Sequence, residues 1–129
     1  MLKYFLNKIL RKYKLAELKM SLIYKGKEIK TDNEGYLLDE KDWSEDLMEF
    51  MAHEDGLSLT EEHITIIRAV KAYYEKYATT PAIRILIRYL KTIGKEDLAS
   101  SIKLAILFPD GAAKSASKYA GLKKPVKCI

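Results

Sequence analysis

From Asp42 to Gly121 the apolar side chains recur at three- and four-residue intervals, and the runs are closed by glycine or proline. A chain patterned this way buries helical stripes against one another, so helices rather than a sheet dominate its fold. Asp42, with an acid three residues on, resembles a capping box ahead of an apolar face of Leu47, Met48, Phe50 and Met51 that ends at Gly56. Thr60 caps the next helix, with Glu61 and Glu62 in the first turn and Ile64, Ile67, Val70, Tyr74 and Tyr77 along one face. Thr80-Pro81 predicts a helix start with proline at the first helical position, a core face of Ile83, Leu86, Ile87 and Leu90, and a stop at Gly94. Lys95 to Phe108 reads as one further helix. Pro109-Asp110-Gly111 breaks the chain, and Ala112 to Ala120 forms a last short helix before Gly121.

The N-terminal third differs. Residues 2–18 place Leu2, Phe5, Leu6, Ile9, Leu10, Tyr13 and Leu18 at roughly helical spacing among Lys8, Arg11, Lys12 and Lys14, which predicts an amphipathic basic helix; packing on the body is its default role, with binding to a partner helix or to an anionic membrane surface as the alternatives. Ser21 to Lys30 predicts a hairpin around Gly26. Asp32-Asn33-Glu34-Gly35 predicts a turn, and Tyr36-Leu37-Leu38 a third short strand. After Gly121 neither period persists. The fold class expected is mainly α: a compact helical bundle with a small N-terminal β-hairpin and an extended, mobile C-terminal arm. Its parts are the helix at 1–19, a body at 20–121 and an arm at 122–129.

With 129 residues, 48% hydrophobic and 32% charged, the chain suits one domain with one core. No run approaches the ~18–20 apolar residues of a membrane span, and no secretory signal is evident, so a cytoplasmic protein is expected. Charge is uneven: residues 1–30 sum to +7, residues 31–102 to −7 and residues 103–129 to +5. Basic ends of this kind attract an anionic partner.

One cysteine, Cys128, excludes an internal disulfide, and with only His53 and His63 beside it a zinc site is not expected. Cys128 is the residue with chemistry to explain. A free cysteine is commonly a small buried apolar side chain, but this one lies one residue from the end of a proline-containing, lysine-rich stretch. Lys123, Lys124 and Lys127 favour its thiolate, the nucleophilic form, and the terminal carboxylate on Ile129 offsets part of that effect. The expectation is an exposed nucleophile on a tether hinged at Gly121. Arg84 and Lys114 are candidate docking or anion contacts, structural pairing being the plainer role for Arg84. His63 reads as a cap or surface histidine, His53 as surface, and Trp43, Tyr73, Tyr74 and Tyr77 as core. The segment 60–94 also allows a helix-turn-helix carrying Arg84, Arg88 and Lys91. It lies in the acidic middle of the chain, a poor footprint for nucleic acid, so direct binding is not expected.

Gly35-Tyr36-Leu37, Asp42-Trp43, Leu59-Thr60-Glu61-Glu62-His63, Pro81-Ala82-Ile83-Arg84, Leu107-Phe108-Pro109-Asp110-Gly111, and Ala120-Gly121-Leu122 through Pro125 to Cys128 follow one another along the chain. This ordered set of motifs resembles the DsrC/TusE (DsvC) family of sulfur relay proteins. The resemblance implies a sulfur carrier that takes sulfur as a persulfide on Cys128 and needs no other cofactor. It implies a covalent carrier rather than a catalyst that turns over alone. Its partners would be a TusBCD/DsrEFH-like or rhodanese-like donor and an acceptor such as a tRNA thiouridylase or sulfite reductase. The DsrC branch uses a second cysteine eleven positions earlier, where this chain has Ser117, so the one-cysteine TusE-like branch is the better match. Ile64, Ala112, Lys123 and Val126-Lys127 depart from the family pattern and make the arm more basic. The alternatives are a partner resembling the sulfite reductase gamma subunit and a cysteine-independent nucleic-acid module.

Overall fold

A computed structural model describes residues 21–125; the helix expected at 1–19, Lys127 and Cys128 lie outside the described residues. Strands β1 (Ser21–Tyr24) and β2 (Lys27–Lys30) pair antiparallel, Ser21 opposite Lys30 and Tyr24 opposite Lys27. Lys25 and Gly26 both adopt positive φ, 50° and 78°, which is the two-residue turn that matches strand twist. Five α-helices follow: α1 (Glu45–Glu54), α2 (Glu61–Tyr77), α3 (Ile83–Thr92), α4 (Ser101–Leu107) and α5 (Ala112–Tyr119). The mainly helical class with a small hairpin is therefore observed.

Four local expectations give way to competing interactions. Tyr36-Leu37-Leu38 forms no strand beyond a single bridge from Leu37 to Thr31. The Asp32 carboxylate accepts the N–H groups of Glu34 (2.8 Å) and Tyr36 (3.0 Å), which takes the Tyr36 donor away from any ladder. Helix α1 is capped by Ser44, whose Oγ accepts the Leu47 N–H at 3.1 Å, while Asp39 caps a separate 3₁₀ turn at Glu40–Asp42. Helix α3 begins at Ile83 rather than at Pro81, which is buried in the interior just ahead of it. The helix expected over 95–108 is divided: a 3₁₀ turn spans Glu96–Leu98, and Ser100 then caps α4 by accepting the Lys103 N–H at 3.0 Å.

The core sits where α2 packs chiefly on α5, and α1, α3 and α4 close around that pair. Ile66, Ile67 and Val70 of α2, Leu86 and Leu90 of α3, Leu104 and Phe108, and Ala116 of α5 are essentially excluded from solvent. Removing each from water stabilises the fold by about 1.5–3 kcal/mol for the larger side chains before entropy is set against it. Of the residues expected inside, Ile83 is partly exposed and Tyr77 half exposed, while Tyr73, Tyr74 and Trp43 are half-buried. Ile102 and Ile106 of α4 point to solvent. No helix among the described residues is long and apolar enough to cross a membrane.

Candidate functional site at the root of the arm

The described part of the arm, residues 122–125, leaves α5 through a turn built by sequence and packing together. Gly121 has φ +73°, its N–H donates to Lys118 O (3.1 Å), and the Leu122 N–H donates to Ser117 O (3.0 Å). This paired bonding closes the last helical turn and needs a residue that tolerates the left-handed conformation. Trp43 makes the requirement stricter. A Cβ on Gly121 would stand 2.6 Å from Trp43 Cδ1, and the indole Nε1–H donates to Tyr119 O at 2.7 Å. Gly121, expected as a hinge, is thus the buried point at which the indole clamps the chain, and Leu122 beyond it is buried too.

The indole also carries a cation. Lys71 Nζ lies 3.1 Å from the Trp43 ring centroid, a cation–π contact, and burial pushes its ammonium below the usual lysine range against the pull of Glu75 and Glu40. A cavity of about 340 Å³ beside the root is lined by Glu40, Lys71, Tyr74, Glu75, Gly121 and Leu122 among others. The Tyr74 phenol is raised by its hydrogen bond to the Glu40 carboxylate.

A second set of ties holds α5 to the hairpin side. Asp55 Oδ2 accepts from both Lys118 Nζ and Tyr119 Oη, each at 2.8 Å, and burial, then this carboxylate, raises the Tyr119 phenol. Tyr36 Oη donates to Lys114 O at 3.1 Å, and burial pushes that phenol up to about 12. On the arm itself Lys124 Nζ pairs with Glu34 Oε1 at 2.6 Å, a contact that lowers the Glu34 carboxyl. Both partners are substantially exposed, so the pair orients the root more than it stabilises the fold.

The remaining candidates separate clearly. Lys123 is exposed. Arg84 is exposed on α3 and joins no ion pair among the described residues, so the structural pairing expected for it is not observed. Lys114 is exposed and is used through its backbone carbonyl by Tyr36. His53 is exposed as expected, whereas His63 is a buried cap. Its Nδ1 accepts the Thr60 N–H at 3.0 Å, so the proton sits on Nε2 and is donated to Leu107 O at 2.6 Å, with the ring edge-on to Phe108. That bond ties the start of α2 to the end of α4 and leaves the ring no free nitrogen for proton transfer. Ser117 is fully buried, and its hydroxyl has no hydrogen-bond partner among the described residues. No cluster of three or more potential metal ligands occurs among the described residues.

Sequence reasoning missed the Trp43 clamp, the Glu34–Lys124 pair and the Asp55 cluster. One signal pointed at the first: Asp42-Trp43 and Ala120-Gly121-Leu122 both belong to the motif set, and those motifs meet here, as do the motifs containing His63 and Phe108.

The family model described as "DsrC like protein" matches residues 23–129, a span that includes Cys128. The Sulfurtransferase TusE of Escherichia coli (strain K12) is 47% identical over 108 residues, covering 84% of this chain and 99% of that protein; the TusE of Yersinia pestis is 45% identical over the same length. Among solved structures, Allochromatium vinosum DsrC superposes with a TM-score of 0.75 at 43% identity, covering 84% of this chain and 97% of that one. The oxidized gamma-subunit of the dissimilatory sulfite reductase (DsrC) from Archaeoglobus fulgidus does so with a TM-score of 0.72 at 36% identity, covering 84% and 99%. With the family model spanning most of its length and relatives at nearly half identity, the chain belongs to the DsrC-like family.

Proposed function

We propose that this protein is a sulfur carrier that receives sulfur on Cys128 and passes it to an acceptor protein. The observation that carries the reading is the family match running through the chain's single cysteine, four residues past the Lys124 that fastens the arm root to the body. Four residues of fully extended chain span at most about 14 Å, which bounds the distance from Lys124 at which the thiol can act.

Loading is an exchange with no net oxidation. The Cys128 thiolate attacks the outer sulfur of a donor persulfide, the donor S–S bond breaks, and the donor departs as a thiolate carrying the electron pair of that bond. The new S–S bond leaves Cys128 as a persulfide. An acceptor thiolate then attacks that outer sulfur and returns Cys128 to its starting thiolate. Lys123, Lys124 and Lys127 favour the anionic forms on both sides of the exchange. The scheme calls for no cofactor, and Ser117 in place of a second cysteine removes the route through an internal disulfide.

The lone cysteine and the TusE relatives favour tRNA 2-thiouridine synthesis as the destination, in the cytoplasm, over service to a sulfite reductase. An Escherichia coli strain lacking its TusE tests this. Expression of the chain is expected to restore 2-thiouridine in tRNA, and Cys128→Ser to leave it absent. Restoration by Cys128→Ser would overturn the carrier role. Failure of the wild-type chain, with Cys128 still accepting sulfur in vitro, would assign it a different acceptor.

A further inference from the structure

The family match begins at residue 23, and 84% of this chain covers the TusE relatives almost completely, so about twenty N-terminal residues have no counterpart in them. That segment carries six Lys/Arg against Glu17 and an apolar stripe that includes Leu6, Ile9, Tyr13 and Leu18. The body offers a surface of matching character where the segment joins it. Between the hairpin and α1 runs a groove of about 470 Å³ that starts at Ser21 and is lined by Leu22, Ile23, Phe50 and Met51, with Glu34, Glu54 and Asp55 also in its wall beside one cation, Lys118, which is held by Asp55. Ile23 is 62% exposed there, a large apolar side chain with little protein over it. The elements that build the groove, residues 21–55, hold eleven Asp/Glu against four Lys, a net charge of −7 opposite the segment's +5.

We propose that this groove is the seat of the chain's own N-terminal segment. Geometry permits it, because Leu18 is only three residues from Ser21, about 10 Å of extended chain, and so reaches the near end of the groove. Apolar contact with Ile23, Leu22 and Phe50 supplies the attraction. The charge difference sets orientation, with the lysines and Arg11 over the carboxylates and the apolar stripe facing inward. A second copy of the chain fits less well, because a separate molecule carries a translational entropy cost that a tethered segment avoids. The seat is independent of the sulfur-carrier reading, since it concerns residues that the TusE relatives lack.

Amide hydrogen exchange on the full chain, compared with a synthetic peptide of residues 1–19, tests the proposal. The amides of residues 5–18 are expected to exchange at least about tenfold more slowly in the chain than in the peptide, at a rate independent of protein concentration. Ile23→Asp and Glu54→Lys, both at exposed positions that leave the core intact, are expected to remove most of that protection. Exchange at the peptide's rate would overturn the proposal. So would protection that survives both substitutions, grows with protein concentration, or arises only on adding anionic lipid vesicles or RNA.

Discussion

Replacing Gly121 by alanine tests the clamp at the arm root, and Gly56→Ala supplies its internal reference. Both glycines end a helix with the same pair of backbone hydrogen bonds and nearly the same φ, +73° and +79°. Placing alanine in that left-handed conformation costs about 1 kcal/mol at either position. At Gly56 nothing lies within 4 Å of the added Cβ, so the backbone cost is the whole effect. At Gly121 the methyl would meet Trp43 atoms at 2.6–2.9 Å, so the indole must move. Overpacking of this kind adds about 1–3 kcal/mol, and loss of the 2.7 Å bond from Trp43 to Tyr119 O adds about 1 kcal/mol. Gly121→Ala is therefore expected to lose about 3–5 kcal/mol and Gly56→Ala about 1 kcal/mol, read from urea midpoints. Trp43 is the only tryptophan, so a shift in the folded-state emission of Gly121→Ala alone reports the displaced indole. Equal losses within about 0.5 kcal/mol and unchanged emission would refute the reasoning.

Other outcomes follow from the buried polar groups. In the unfolded chain Tyr36 ionises near its ordinary value of 10.0, whereas folding holds it neutral up to about 12. Its contribution is complete below about pH 10 and is lost between about pH 10 and 12, so Tyr36→Phe is expected to flatten the decline of unfolding free energy with pH over that interval. His63→Ala leaves the Leu107 carbonyl buried without its donor and opens a cavity beside Phe108, for an expected loss of about 3 kcal/mol by chemical denaturation. The exposed His53→Ala should change stability by less than about 0.5 kcal/mol. Ser117→Ala removes a buried hydroxyl that has no partner among the described residues, and a gain of about 1 kcal/mol is expected in the same assay.

What was legible in the sequence was whatever neighbours decide. Lys25-Gly26 set the hairpin turn, Thr60 with Glu61 and Glu62 the start of α2, and Gly56, Gly94 and Gly121 the ends of three helices, because each acts within a turn of its own position. Where a side chain competes with the regular backbone pattern, the outcome changed. Ser100 took an N–H that would have continued a longer helix, and Asp32 took the donor a third strand required. Tyr77 continues the apolar period of α2 but lies half exposed, since periodicity says which residues share a face and not how far along it the neighbours extend. The arm root was the least legible part. Trp43 meets Tyr119 from 76 positions away and Lys124 meets Glu34 from 90, and only the ordered motifs hinted that these segments converge.

The most direct measurement is the intact mass of the protein after exposure to a persulfide donor, with the modified residue located by fragmentation. The account predicts one added sulfur of about 32 Da on Cys128, removed by a thiol reductant and absent from Cys128→Ser. Wild-type protein that gains no mass, or a Cys128→Ser variant that gains the same one, would contradict it.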